Sequence, residues 1–244
     1  MEQVLLDLPW KRLHEHGELK QQINGADLIS AMDVNTIDTK GETLRNVIRG
    51  LMYMISGKGS GNEVMRLQAQ ARAARALAWL CDLDEVPRIF LEGAAQGNSD
   101  NLSTLSRVML ETHDRSVLLE FVALVGWLAN ASDEYAQLVG SEIDILRALA
   151  DHLGSRAPAL QRKAAWALAC LARGKNKMRI LSGDNHERVT RNLVSILRSN
   201  DVESSAMAAR CAAALANGNR ANAAIMARQA GGKASPLYLA LKVT

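Results

Sequence analysis

Two stretches of the sequence contain residue types whose spacing could support chemistry. The segment "SGKGSGNEVM", residues 56–65, has the lysine, glycines and serines of a phosphate-binding loop. A phosphate-binding loop follows a strand and has the sequence GxxxxGK[ST]. Here the lysine comes too early in the segment, and the residues on both sides have helical patterns. We therefore interpret the segment as a flexible connection. A single residue separates His14 and His16. On a helix, side chains two positions apart point in different directions, so the two imidazole rings would not meet at one metal ion. The sequence therefore predicts neither a phosphate loop nor a metal site.

The three cysteines, Cys81, Cys170 and Cys211, form no CxxC or Cys/His ligand spacing. Two of them lie in alanine-rich segments, where a thiol serves as a small apolar filler. Neither G-x-S-x-G nor HExxH occurs, and no cysteine has an obvious activating context. We therefore expect a protein that is not an enzyme, with no catalytic residue and no cofactor.

The amino-acid composition excludes few other classes of protein. The 244 residues are 48% hydrophobic and 23% charged, which is typical of a globular protein with a sizeable core. The net charge of +3 neither requires nor excludes a polyanionic partner, and we expect no nucleic acid. No apolar run approaches the roughly 20 residues of a membrane span, and "MEQVLLDLPWKRLHEHGELK" lacks a signal-peptide apolar region. We expect an intracellular, reducing compartment: the cytoplasm is favoured, and an organellar matrix is the alternative.

An internal repeat organises the chain. "AAWALACLARGKNK" begins at Ala164, and the similar "AARCAAALANGNRA" begins at Ala208. Each alanine-rich segment is followed by a polar break, a short apolar stretch and a second helical pattern with i, i+3, i+4 spacing. The spacing of equivalent leucines, 48, 43 and 44 residues, is typical of helical solenoid repeats. These leucines are Leu80, Leu128, Leu171 and Leu215, and two of the second patterns are Leu102, Leu105, Val108, Met109 and Ile143, Leu146, Leu149, Leu153.

These residues resemble the armadillo repeat family. "AAWALACLARGKNKMRILSGDNHERVTRNLVSILRSNDVES" is similar to one repeat and the start of the next, and "GNRANAAIMARQAGG" is similar to the link into the family's first helix. The likeness is clearest between Ser141 and Gly232, weaker from Thr43 to Gly140, and absent before that. It implies an all-α, right-handed α-solenoid of about four armadillo-like three-helix repeats with irregular N- and C-terminal caps. We place a single domain over residues 1–244, with an N-terminal arm or cap at 1–24, repeats at 25–97, 98–140, 141–184 and 185–231, and a C-terminal cap at 232–244.

The resemblance also implies a binding groove along the long helices. Peptide-binding armadillo proteins hold a peptide with a Trp five residues before the equivalent leucine and an Asn one residue before it. Here the two positions match at Trp166 alone and the asparagine series is missing, so we do not transfer the carriage of nuclear signals. We expect the groove to bind an acidic or apolar segment of another protein; the alternative is that the tryptophans fill the core between helices. The groove candidates are Arg75, Trp79, Trp127, Trp166 and Arg210.

Three functions follow from this architecture. The first is a non-enzymatic protein-binding scaffold or adaptor. The second is a structural accessory subunit, permanently embedded in a large protein complex, with an organellar complex as one case. A free adaptor should purify as a soluble monomer, whereas such a subunit should aggregate alone or co-purify at fixed stoichiometry. The third is a chaperone nucleotide-exchange co-factor, which rests on fold analogy alone. In the second function an N-terminal arm docks on a neighbouring subunit through Leu5, Leu6, Leu8, Trp10 and Leu13.

Overall fold

The described part of the chain is helical. The computed structural model describes Leu13 and residues 18–33, 42–59, 61–92, 100–183 and 185–229, and no residue in these ranges lies in a β-strand. This confirms the all-α prediction, which rested on the resemblance to armadillo repeats. The helices are α1 (Leu19–Ala31), α2 (Glu42–Ile55), α3 (Glu63–Leu80), α4 (Glu85–Leu91), α5 (Asp100–Glu111), α6 (Arg115–Ala131), α7 (Asp133–Val139), α8 (Ile143–His152), α9 (Pro158–Leu171), α10 (Asn176–Ile180), α11 (Asn185–Leu197), α12 (Val202–Ala216) and α13 (Arg220–Gln229).

The chain divides into two compact units, residues 1–124 and 125–244, with the boundary inside α6. In the first unit, α3 packs against both α1 and α2, and α2 also contacts α4 and α5. Leu13 is fully buried and packs against the backbone of Gly50 on α2. Apolar burial of this kind holds short helices together, since isolated helices of this length are marginal in water. The largest buried side chains of the unit include Leu44, Leu51, Ile55, Leu77, Phe90 and Phe121.

The apolar pattern predicted for α5 and α8 is confirmed, with one exception. All four predicted positions of α5 are buried, as are Leu146, Leu149 and Leu153. Ile143 is 69% exposed, so its predicted place in the core was wrong. At 100° per residue, Ile143 lies about 160° around the helix from the buried Ile145, so it points away from the core.

In the second unit, the alanine-rich helices pack directly on one another. The α9–α12 pair makes the most extensive helix contact of this unit, and α11 packs against α12. Alanines and a cysteine are buried on both α9 and α12, and their small side chains allow the two backbones to approach closely. This agrees with the predicted stacking role of the repeated segment. Within the described ranges, no helix has both the length and the apolar character needed to cross a membrane.

Buried asparagines join the short helices of successive layers. Asn176, at the start of α10, is fully buried, and its Nδ2 donates to the carbonyl oxygen of Ala136 on α7 at 2.6 Å. Asn222 on α13 repeats the arrangement, since its Nδ2 donates to the carbonyl of Lys177 on α10 at 2.9 Å. Each bond satisfies a buried side-chain amide that would otherwise be costly to bury, since Asn176 and Asn222 are both at most 2% exposed. The layers are therefore held by polar contacts as well as by apolar packing.

His152, at the end of α8, gives the fold a predicted pH dependence. Its Nε2 is buried without a hydrogen-bond partner among the described residues, and burial lowers the pKa of the imidazole, against a smaller opposing effect of Asp151. The unfolded chain, with a pKa of about 6.5, therefore binds a proton more readily than the folded chain. We expect stability to fall as the pH drops below about 6.5, with a slope of at most about 1.4 kcal/mol per pH unit from this group.

The comparison that checks this is urea unfolding of the wild type and His152→Leu between about pH 5 and pH 8. The variant should show a flatter dependence of its unfolding free energy on pH. If both proteins lose stability equally on acidification, His152 is not the source of the effect.

Candidate functional site

Two tryptophans of the second unit form an aromatic pair that solvent can reach. The rings of Trp127, near the end of α6, and Trp166 on α9 have centroids 5.4 Å apart and planes at 67°, an edge-to-face contact. Trp127 is 36% exposed and Trp166 is half-buried. The Trp166 ring lies over Gly126, where a Cβ would stand 2.8 Å from Trp166 Cη2 and closer still to Cζ3 and Cε3. The pair therefore depends on the missing side chain at position 126.

Lys163 adds a positive charge to this pair. Its Nζ lies 5.7 Å from the centroid of the Trp166 ring, within the range of a cation–π contact. Lys163 precedes Trp166 by one helical turn, and Cys170 follows Trp166 by another, so the three residues share one face of α9. Lys163 was not among the predicted site residues, although its i, i+3 spacing from Trp166 could have revealed it.

Arg210 lies on α12, which packs against α9. Burial raises the pKa of the Cys170 thiol, and the positive charges of Arg210 and Arg173 oppose that shift. The Cys170 Sγ also lies 3.8 Å from Oδ1 of Asn130, one turn after Trp127 on α6. We name Trp127, Trp166, Lys163 and Arg210 the tryptophan surface.

The charges of the tryptophan surface are not neutralised within the described ranges. Neither Lys163 nor Arg210 pairs with a carboxylate there, although Lys163 neighbours Arg162, which binds Asp201 at 2.9 Å. A surface that combines accessible aromatic rings with unpaired cations can bind a ligand that carries both carboxylates and apolar groups.

The remaining groove candidates, Arg75 and Trp79, lie on α3 in the first unit. Arg75 Nε donates to Oε1 of Glu120 at 3.0 Å, and Nη2 donates to the same oxygen. These hydrogen bonds raise the pKa of Arg75, whose charge is thus compensated within the unit. Trp79, the penultimate residue of α3, is half-buried. A partner carboxylate at Arg75 would have to compete with Glu120.

Four residues of the predicted docking arm, Leu5, Leu6, Leu8 and Trp10, lie outside the described residues. The fifth, Leu13, is fully buried against α2.

The cysteines are placed for packing. All three are free and buried, and burial raises the pKa of Cys81 strongly and that of Cys211 to about 12. A thiol with a raised pKa holds little thiolate near neutral pH and is a poor nucleophile. Across the described ranges, no group of three His, Cys, Asp or Glu side chains is arranged to hold a metal ion.

Comparison with known proteins identifies the fold. No family model matches the chain, and the search of curated proteins found no match. Among solved structures, an engineered protein superposes with a TM-score of 0.71 at 20% identity, covering 98% of this chain and 99% of its own.

Two designed proteins extend this comparison. The designed armadillo repeat protein YIII(Dq)4CqI gives a TM-score of 0.71 at 16% identity, covering 96% of this chain and 97% of its own. The designed armadillo repeat protein YIII(Dq.V1)4CPAF in complex with peptide (KR)4 gives 0.68 at 18% identity, covering 91% of this chain and 87% of its own. The chain therefore has the all-α solenoid fold of armadillo repeats.

Proposed function

We propose that this chain is a non-enzymatic protein-binding module, and that its tryptophan surface binds an acidic segment with apolar side chains in a partner protein. One observation carries the proposal: the exposed Trp127 and the half-buried Trp166 form an aromatic pair, and Lys163, which no described carboxylate neutralises, lies over the Trp166 ring. Tryptophan and arginine are the residues on which interface energy concentrates, because they offer large area and forked hydrogen bonding.

The positive charges of the tryptophan surface determine which kind of peptide it favours. A designed armadillo repeat protein of this fold is known in complex with the basic peptide (KR)4. Lys163 and Arg210 would repel such a peptide and attract carboxylates instead. The aromatic rings add apolar contact area, so a segment that alternates acidic and apolar side chains fits the surface best.

The burial of the thiols supports a binding role over catalysis. Cys170 lies one turn after Trp166 on α9, and its raised pKa keeps the thiol protonated near neutral pH. A binding surface needs a fixed geometry, which the packed helices of the second unit supply before any partner arrives.

Selection of displayed random peptides tests this proposal. We expect the enriched peptides to contain Asp or Glu with apolar residues. Their affinity should fall about 30-fold in Trp127→Ala, because an interface tryptophan contributes about 2 kcal/mol. Fluorescence anisotropy measures the change.

The matched control is Ile143→Ala, which removes another exposed apolar side chain of the same unit, 69% exposed on α8. It should leave the affinity within about twofold, since isolated exposed apolar residues carry little interface energy. Enrichment of Lys- and Arg-rich peptides, or equal binding by Trp127→Ala, would overturn the proposal.

A further inference from the structure

A second surface of the same unit consists of cations that follow α9. Lys175, Lys177 and Arg179 lie within five residues of one another, and Met178 stands among them with 58% of its surface exposed. Arg220, the first residue of α13, lies in a segment that contacts α10: Asn219 Nδ2 is 3.3 Å from the Met178 sulfur. We name Lys175, Lys177, Met178, Arg179 and Arg220 the basic strip.

The cations of the basic strip are held in place without being neutralised. Lys177 Nζ donates to the carbonyl of Asn217 at 2.6 Å, and Arg179 Nη1 donates to Asn176 Oδ1 at 3.2 Å. Both acceptors are uncharged, so the side chains are oriented while their charges remain available. Within the described ranges, no carboxylate pairs with any cation of the strip.

Five other arginines of the second unit differ in this respect. Each of the five is paired with a carboxylate of the described chain, which offsets most of its charge at close range. The pairs are Arg147–Asp144, Arg162–Asp201, Arg173–Asp133, Arg188–Asp151 and Arg191–Glu187. The basic strip is therefore not a general property of the unit's arginines.

The charge of the whole unit reinforces the strip. Residues 125–244 contain 16 Lys and Arg against 9 Asp and Glu, a net charge of +7. Residues 1–124 contain 13 against 17, a net charge of −4. The total of +3 conceals this difference. A positively charged unit attracts a negatively charged partner before contact and speeds their association.

We propose that the basic strip binds an acidic, amphipathic segment of a protein, with carboxylates on its cations and an apolar side chain on Met178. The strip contains no aromatic ring on which a nucleic-acid base could stack, whereas an exposed methionine offers an adaptable apolar contact. The proposal stands independently of the tryptophan surface.

The test uses the full chain and three fluorescent probes. One is a peptide of about 12 residues that repeats Glu-Glu-Leu, one is an oligo-Glu peptide of equal length, and one is a single-stranded oligonucleotide of similar length. Anisotropy titrations at about 50 mM and 150 mM salt measure each affinity. The strip variant is Lys175→Glu with Arg220→Glu, because both side chains are exposed and neither makes a hydrogen bond or ion pair within the described ranges. Thermal melting confirms that the variant folds.

The matched control is Arg156→Glu with Arg198→Glu, which changes the net charge of the same unit by the same amount at exposed positions outside the strip. We expect the Glu-Glu-Leu peptide to bind about tenfold more weakly to the strip variant and less than about threefold more weakly to the control. Met178→Gln should weaken the Glu-Glu-Leu peptide and leave oligo-Glu unchanged. The strip variant and its control are also compared in a Trp127→Ala background, so that a loss of peptide binding in the strip variant cannot come from the tryptophan surface.

Three results would overturn the proposal. Equal losses in the strip variant and the control would show that only net charge matters. Tighter binding of the oligonucleotide than of the peptide, lost in the strip variant, would assign the strip to nucleic acid. No binding of the Glu-Glu-Leu peptide at about 50 mM salt would show that the strip is not a docking site.

Discussion

Replacing Gly140 with alanine should lower the free energy of unfolding by about 3 kcal/mol. Gly140 follows α7 with a φ of −77°, which alanine adopts without strain, so the effect is steric. A Cβ at this position would lie 2.6 Å from Asn176 Oδ1 and closer still to Cγ and Nδ2. The methyl group would displace the fully buried Asn176 amide, and its Nδ2 would lose its hydrogen bond to the Ala136 carbonyl. Urea unfolding followed by circular dichroism measures the loss.

A double-mutant cycle separates this mechanism from a general effect of the substitution. Asn176→Ala alone should also destabilise the protein, because it removes the same bridge. Once Asn176 is alanine, the added methyl at position 140 meets no amide, so Gly140→Ala should then cost almost nothing. Simple addition of the two single losses would contradict the proposed contact.

The second large effect on stability is expected for Gly126→Ala. The direction of the change distinguishes the helix propensity of alanine from steric overlap with the Trp166 ring. Alanine in a helix interior is ordinarily about 1 kcal/mol more favourable than glycine. Here a Cβ would overlap the six-membered ring of Trp166, which is rigid and must rotate as a whole. We expect Gly126→Ala to destabilise the protein by about 2 kcal/mol and to separate Trp166 from Trp127. Near-ultraviolet circular dichroism and urea unfolding report the two changes.

A second substitution supplies the control. In Gly126→Ala with Trp166→Leu, the ring is gone, so alanine at position 126 should be stabilising relative to Trp166→Leu alone. A stabilised Gly126→Ala single variant would show that the ring yields easily and that Gly126 does not position it.

Periodicity predicted the architecture because packing depends on side-chain size and spacing. The alanine-rich segments pack where small residues allow close approach, as on α9 and α12. The same reasoning failed at Ile143, since a three-residue interval from Leu146 is also compatible with the edge of a stripe. Burial of the cysteines followed from their apolar neighbours in sequence.

The candidate site was less predictable. The resemblance to armadillo repeats placed Trp127 and Trp166 in one groove. Because the two residues occupy different positions relative to their equivalent leucines, it did not predict that their rings would lie 5.4 Å apart. That contact depends on Gly126, whose only signal is a glycine within a helical pattern. The compensation of Arg75 by Glu120 joins residues 45 positions apart, which periodicity alone does not reveal. The uneven charge of the two units became visible only once their boundary was known.

The asparagine bridges have an evolutionary consequence. Asn176 and Asn222 each recognise a peptide carbonyl, which every amino acid provides, so the preceding layer can change its side chains without losing the bond. Mutations can then accumulate layer by layer while the helices keep their mutual placement.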